Sequence, residues 1–166
     1  MNEEFNTIIN SLINNEKVKE MKNYRQHCNT SCYDHSYSVA YLTYKISKKL
    51  NLDYVSATRG AMLHDLFLYD WRKSKRFNFH AFKHGKIAYL NAKKEFDLND
   101  IESDMIIKHM WPITIKPPKY KEGFVLTIAD KVCASKEILN AFVVFLNDNP
   151  VVRYAYLFYV FVFKNI

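Results

Sequence analysis

Apolar residues recur every three or four positions through most of the chain, which predicts helices separated by short polar breaks. Phe5, Ile8, Ile9, Leu12 and Ile13 form one stripe, and Asn14-Asn15 interrupts it before Val18 and Met21. A second helix is expected over about residues 33–50. Val39, Leu42, Ile46 and Leu50 would line its inner face, with His35 one turn earlier on the same face. Asn51 and Asp53 read as a turn and an N-cap for a helix over 54–68. There Ala57, Ala61, His64 and Leu68 point inward, and Asp65 lies one step around. Residues 71–79 form a basic connection. A helix over about 80–96 places His84, Ala88 and Asn91 together. Asn99 caps the next, whose stripe is Ile101, Met105, Ile106 and His109. Pro112, Pro117 and Pro118 stiffen the loop that follows, and a long helix over 121–146 gathers Leu126, Asp130, Cys133, Ala134 and Glu137 on one side.

The C-terminal segment, 141–166, departs from this pattern. Between Val151 and Phe163 nearly every residue is apolar, with Arg153 the one charge. A spanning helix needs about 20 apolar residues, and Asn147, Asp148, Asn149 and Pro150 cut this run short. It reads as a buried final segment or a contact between copies of the chain. Its β-branched and aromatic content suits a strand as well as a helix.

Composition narrows the classes further. Three glycines in 166 residues leave few tight turns, against an all-β sandwich. Gly60, Gly85 and Gly123 are too far apart to build a glycine-rich phosphate loop. The expectation is a single all-α domain over 1–166. The formal charge of +7 suits an anionic partner, but no helix carries the dense basic stripe of a nucleic-acid reader. Three cysteines and no signal peptide point to a reducing cytoplasm. His27, Cys28 and Cys32 lack the further ligands that a structural zinc site needs.

Six ionisable side chains fall on the inward faces: His35, His64, Asp65, His84, His109 and Asp130. A buried charge without a partner costs several kcal/mol, on the order of the cost of an unpaired polar group or more. One core histidine is ordinary; six such groups from five helices ask for a joint explanation. Imidazole nitrogens and carboxylate oxygens are ligands for divalent ions, and an ion neutralises the carboxylates. Four imidazoles and two carboxylates exceed one tetrahedral zinc and fit a pair of ions with open positions.

The order of these residues and their surroundings resemble the HD superfamily of metal-dependent phosphohydrolases. DHSYSVAYLTYKIS is similar to the family's first histidine helix, and RGAMLHDLFLYD carries the histidine–aspartate doublet. HGKIAYLNA, IIKHMWP and LTIADKVCASKE look like the remaining motifs. The motif-bearing core spans 24–137. The resemblance implies a bundle of about six to seven helices with the metal site between them. It also implies that His35, His64, Asp65 and Asp130 hold one ion, and that His84 and His109 hold a second, with Asp65 bridging. Iron or manganese fits best, and zinc, nickel, cobalt and magnesium stay open.

The implied reaction is attack of activated water on a phosphoester or phosphoanhydride of a small phosphorylated substrate, a nucleotide by preference. Asp65 would orient the nucleophile, and Lys131, Arg72 and Lys73 would hold phosphate oxygens. Asp70 could orient a ligand histidine, and His80 is a neighbour rather than a ligand. Trp71, Phe77, Trp111 and Tyr120 could stack on a base. The sequence lacks the GYP signature of cyclic-dinucleotide phosphodiesterases, and Leu68 stands where many members carry lysine. A non-catalytic module that senses a nucleotide is therefore the second reading.

Overall fold

Short polar side chains start most of the helices by taking up backbone N–H groups that the first turn leaves without partners. Asn2 accepts from Glu4 and Phe5, Asn15 from Lys17 and Val18, Ser31 from Asp34, and Asp53 from Ser56. Asn99 and Glu102 cap each other's backbone reciprocally. The computed structural model of the chain describes residues 2–73 and 80–163. Its helices are α1 (Glu3–Ile13), α2 (Glu16–Glu20), α3 (Cys32–Lys49) and α4 (Tyr54–Leu63), followed by α5 (His80–Glu95), α6 (Asp100–Lys108), α7 (Lys121–Asp148) and α8 (Pro150–Phe163). A 3₁₀ turn at Met21–Asn23 follows α2. Among the described residues there is no strand, only a bridge between Arg25 and Ser31. The all-helical expectation holds. The described residues form eight α-helices where about six to seven were expected, because Asn15 starts a helix of its own and the C-terminal run forms α8.

The core is the meeting place of the amphipathic stripes. Phe5, Ile9 and Leu12 of α1 lie buried with Val39 and Tyr44 of α3, Ala61 and Leu63 of α4, Met105 and Ile106 of α6, and Leu126 of α7. α3 and α4 pack most extensively on each other, α7 lies on α3, and α6 lies on α4. Gly85 lets α5 approach α6, since a Cβ there would sit 2.9 Å from the Ile106 carbonyl oxygen.

Three expectations need correction. On α3 the buried face runs through Val39, Thr43, Tyr44 and Ser47, whereas Leu42 and Ile46 are half-buried and Leu50, past the helix end, is exposed. Tyr44 is drawn inward because its ring packs against Phe5 and Tyr54, and its hydroxyl donates to Glu4. α4 ends at Leu63, not at residue 68. His64 caps it, Phe67 N–H bonds back to Asp65, and Leu68 takes the left-handed conformation at φ 52°. The apolar letters Leu66 to Leu68 read as more helix, but Asn91 donates to the Leu66 carbonyl and the Cys32 thiol to the Asp65 carbonyl. The C-terminal run is a helix, not a strand, and it is exposed rather than buried, with Val151 81% exposed and Phe161 75%. Residues 164–166 of that segment lie outside the described residues, as do positions 74–79 of the basic connection, Phe77 among them. No helix among the described residues is long and apolar enough to cross a membrane.

Candidate metal centre

Each histidine of the cluster sits where a helix begins or ends. Ser31 caps α3 and so presents His35, in the first turn, to the interior. His64 is the C-cap of α4 and Asp65 follows it in the turn. His84 comes one turn into α5, and His109 is the C-cap of α6. Asp130 projects from α7. Four of these six residues leave 1% or less of their surface exposed, and His84 leaves 3%.

The rings are oriented by what their Nδ1 atoms touch. His64 Nδ1 lies 2.7 Å from the Ala61 carbonyl, His84 Nδ1 2.9 Å from that of His80, and His109 Nδ1 2.9 Å from that of Ile106. A carbonyl only accepts, so each Nδ1 carries a proton and each ring turns its Nε2 to the cluster. His35 differs. Its Nδ1 lies 2.9 Å from Glu137 Oε1 and its Nε2 3.0 Å from Asp130 Oδ1.

The two carboxyl oxygens of Asp65 face different partners. Oδ1 is 3.3 Å from His84 Nε2 and 3.6 Å from His109 Nε2. Oδ2 is 3.2 Å from His64 Nε2 and 2.5 Å from Gln26 Nε2. Asp130 Oδ1 lies between His35 and His64, 3.8 Å from the latter's Nε2. The donor atoms therefore fall into two groups that share Asp65.

The cluster is under-supplied with protons. His84 Nε2 and His109 Nε2 are 2.8 Å apart, so lone pair faces lone pair unless a proton or a cation lies between them. His64 Nε2 and Asp65 Oδ1 are buried with no hydrogen-bond partner, and such orphans are costly. The titration behaviour follows. Burial, then the neighbouring rings of His84 and His64, push His109 down to about 3. Burial would lower His35 too, but hydrogen bonds to Asp130 and Glu137 raise it to about 10. Burial opposes ionisation of Asp130, yet the hydrogen bond from His35 brings it down to about 2. His35, His64 and Asp130 bring ligand atoms within 4.8 Å of one another, as do His64, Asp65 and His109. The donor set and its orphans fit divalent ions.

A family model, HD domain, matches residues 32–135. The chain belongs to the HD domain family. No curated protein and no solved structure matches it. HD domains are mostly metal-dependent hydrolases, and the matched stretch runs from the helix of His35 to the helix of Asp130.

This HD domain opens its cluster into a cavity of about 340 Å³. Asp65, His84, His109 and Asp130 line it together with Trp71, Met110 and Ile113. A wider groove of about 510 Å³ beside Lys93 and Asp97 holds no imidazole. Lys131 lines the cavity with its ammonium on the Trp111 and Thr127 carbonyls. Arg72 and Lys73 do not line it. Arg72 donates to the carbonyls of Arg25 and Gln26, and Lys73 pairs with Asp70 at 3.5 Å. Asp70 accepts from the Arg72 backbone and caps that turn rather than holding a ring. His80 stacks between Trp71 and His84 and bonds Tyr69. Of the aromatic candidates, Trp71 reaches the cavity, whereas Trp111 packs on Phe124 and Tyr120 lies under the Lys119 ammonium.

Sequence reasoning missed Gln26, His27 and Glu137. Gln26 holds Asp65, and Arg72 fastens the segment carrying Gln26 and His27. The His27 ring meets His35 edge to face at 5.1 Å. Glu137 was legible, being two turns beyond Asp130 on the same face of α7. Gln26 left no periodic trace, because it lies in a loop.

Proposed function

We propose that this HD domain is a metal-dependent phosphohydrolase acting on a small phosphorylated substrate, with a nucleotide as the preferred class. The observation that carries the reading is the division of the donors around Asp65. One oxygen serves His84 and His109, and the other serves the half that contains His64. His35, His64, Asp65 and Asp130 would hold one divalent ion, and His84 and His109, with Asp65 shared, a second. Iron or manganese suits these nitrogen and oxygen donors. Bound there, such ions supply the positive charge that lowers the pKa of water from 15.7 to roughly 7 and stabilises phosphoryl oxygens.

The chain's own groups do the positioning. Three backbone carbonyls fix the imidazole tautomers, so the Nε2 atoms are ready without reorganisation. Gln26 fixes the plane of the Asp65 carboxylate, which orients the attacking water. Lys131 at the cavity edge meets a phosphate oxygen. Trp71, Met110 and Ile113 shield the reacting phosphoryl group, and Trp71 offers a face for a base.

Metal analysis of the purified protein, then turnover of phosphomonoesters and nucleotides with added Mn²⁺, tests the reading. Hydrolysis that disappears in Asp65→Asn is expected. Nucleotide binding with no turnover under any metal would make the domain a sensor instead.

A further inference from the structure

Beyond the histidine cluster α7 continues to Asp148, and α8 folds back against its outer half. Phe142 and Tyr156 join the two helices edge to face, with ring centroids 5.6 Å apart. Among the described residues of this hairpin, many apolar side chains are exposed. Phe142, Phe145, Tyr154, Tyr156 and Phe158 are 41–71% exposed, and Leu139, Val144, Val151 and Leu157 between 53% and 81%.

The size of this face decides what it is for. An aromatic side chain buries about 150–250 Å², so five rings roughly half exposed present about 500 Å². The aliphatic side chains between them bring the apolar surface, summed over all sides of the hairpin, to about 1,000 Å². A monomer's largest apolar patch is about 300–600 Å², and a stable interface takes about 800 Å² from each partner. Charge narrows the occupant. Residues 138–163 carry Asp148 and Arg153, −1 and +1, which cancel on a chain of +7. No net charge there selects an acidic or basic partner, and two copies meet at this face without repulsion. A helix lying on a membrane surface needs a cationic polar face opposite its apolar one. α8 is apolar all round, the mark of a helix packed among other helices.

We propose that the outer half of α7 and α8 of one copy pack against the same hairpin of a second copy, forming a two-fold, four-helix contact that makes this protein a homodimer. The dimer does not depend on the reading of the metal centre.

Light scattering and sedimentation on the full chain test this. A mass twice 19.7 kDa is expected, falling to the monomer in the double variant Tyr154→Glu, Phe158→Glu, whose helical circular dichroism is unchanged. Ile115→Glu, at a 95% exposed apolar residue elsewhere, should leave the dimer intact. Should the double variant not fold, Phe158→Cys read by cross-linked peptides replaces it, and cross-links between copies at that position are expected. A monomeric wild type overturns the proposal. So do a double variant that remains dimeric, association that grows past two copies, and a monomer that floats with lipid vesicles.

Discussion

In the bundle, His35, His64, Asp65, His84 and His109 are 3% exposed or less, whereas along α8 Val151, Tyr154 and Phe158 lie in solvent. Both regions reverse the ordinary sorting of polar and apolar side chains, and these reversals are the informative departures. In the first, lone pairs of His64 and Asp65 are buried without partners. In the second, apolar area on the scale of an interface meets solvent. On the two proposals made above, each region would be completed by something outside the polypeptide: charge for the cluster, apolar surface for the hairpin. The two completions are independent, so they can be broken separately.

The largest effect is expected at the cluster. His64→Ala removes the imidazole that touches both carboxylates, and phosphatase turnover should fall by about 10²–10³-fold or more, the scale for losing a charge-stabilising group. Bound metal should fall with it, while circular dichroism shows the bundle intact. Unchanged metal content would separate His64 from the centre.

The next prediction contrasts the two regions directly. Leu126→Ala, in the closed core, should cost about 2–5 kcal/mol in chemical denaturation. Val151→Ala, at 81% exposure, added to the monomeric Tyr154→Glu, Phe158→Glu variant, should change its stability by less than about 0.5 kcal/mol. Equal losses at both sites would mean that the hairpin is covered within a single chain.

Glu137→Gln sharpens the comparison inside the cluster. Among the histidines proposed as ligands, His35 alone has its Nδ1 held by a side chain from another helix rather than by a nearby carbonyl. Metal affinity should weaken by about 10–100-fold, read by competition with a chelator. Affinity equal to wild type would make the pairing incidental.

The smallest effect is on pH dependence in chelator-treated protein. His35 is raised from 6.5 to about 10, so its stabilisation is complete below pH 6.5 and is lost as pH rises through 10. His109, lowered to about 3, and His80, lowered to about 4 by burial and by His84, act in reverse. They resist a proton that the unfolded chain takes up below pH 6.5, so stability falls as pH drops from there. The thermal midpoint should peak near pH 6.5, and added metal should move the peak upward, because a ligand histidine must give up its proton. A metal-free midpoint that climbs steadily from pH 6.5 to 9 would count against the His35–Glu137 pair.

Local pattern carried much of this protein. The caps at Asp53 and Asn99, the stripes on α1 and α6, and the six inward ionisable residues were all legible, because helix periodicity places residues on a face without reference to anything distant. What was misread has a common cause. The end of α4 depends on Asn91 and Cys32, the inward turn of Tyr44 on Phe5 and Glu4, and the role of Arg72 on the carbonyls of residues 25 and 26. All are contacts between residues far apart in the chain, and no window along it contains them.

The sequence by itself determined that the chain is helical, which residue types face inward, and the order of the histidines and aspartates that marks an HD domain. Only the tertiary structure decided which Asp65 oxygen meets which imidazole, that Gln26 and Glu137 join the cluster, and that the apolar tail is left in solvent. Helical period depends on neighbours three and four residues away, whereas the aim of a lone pair and the covering of a face depend on how whole helices pack.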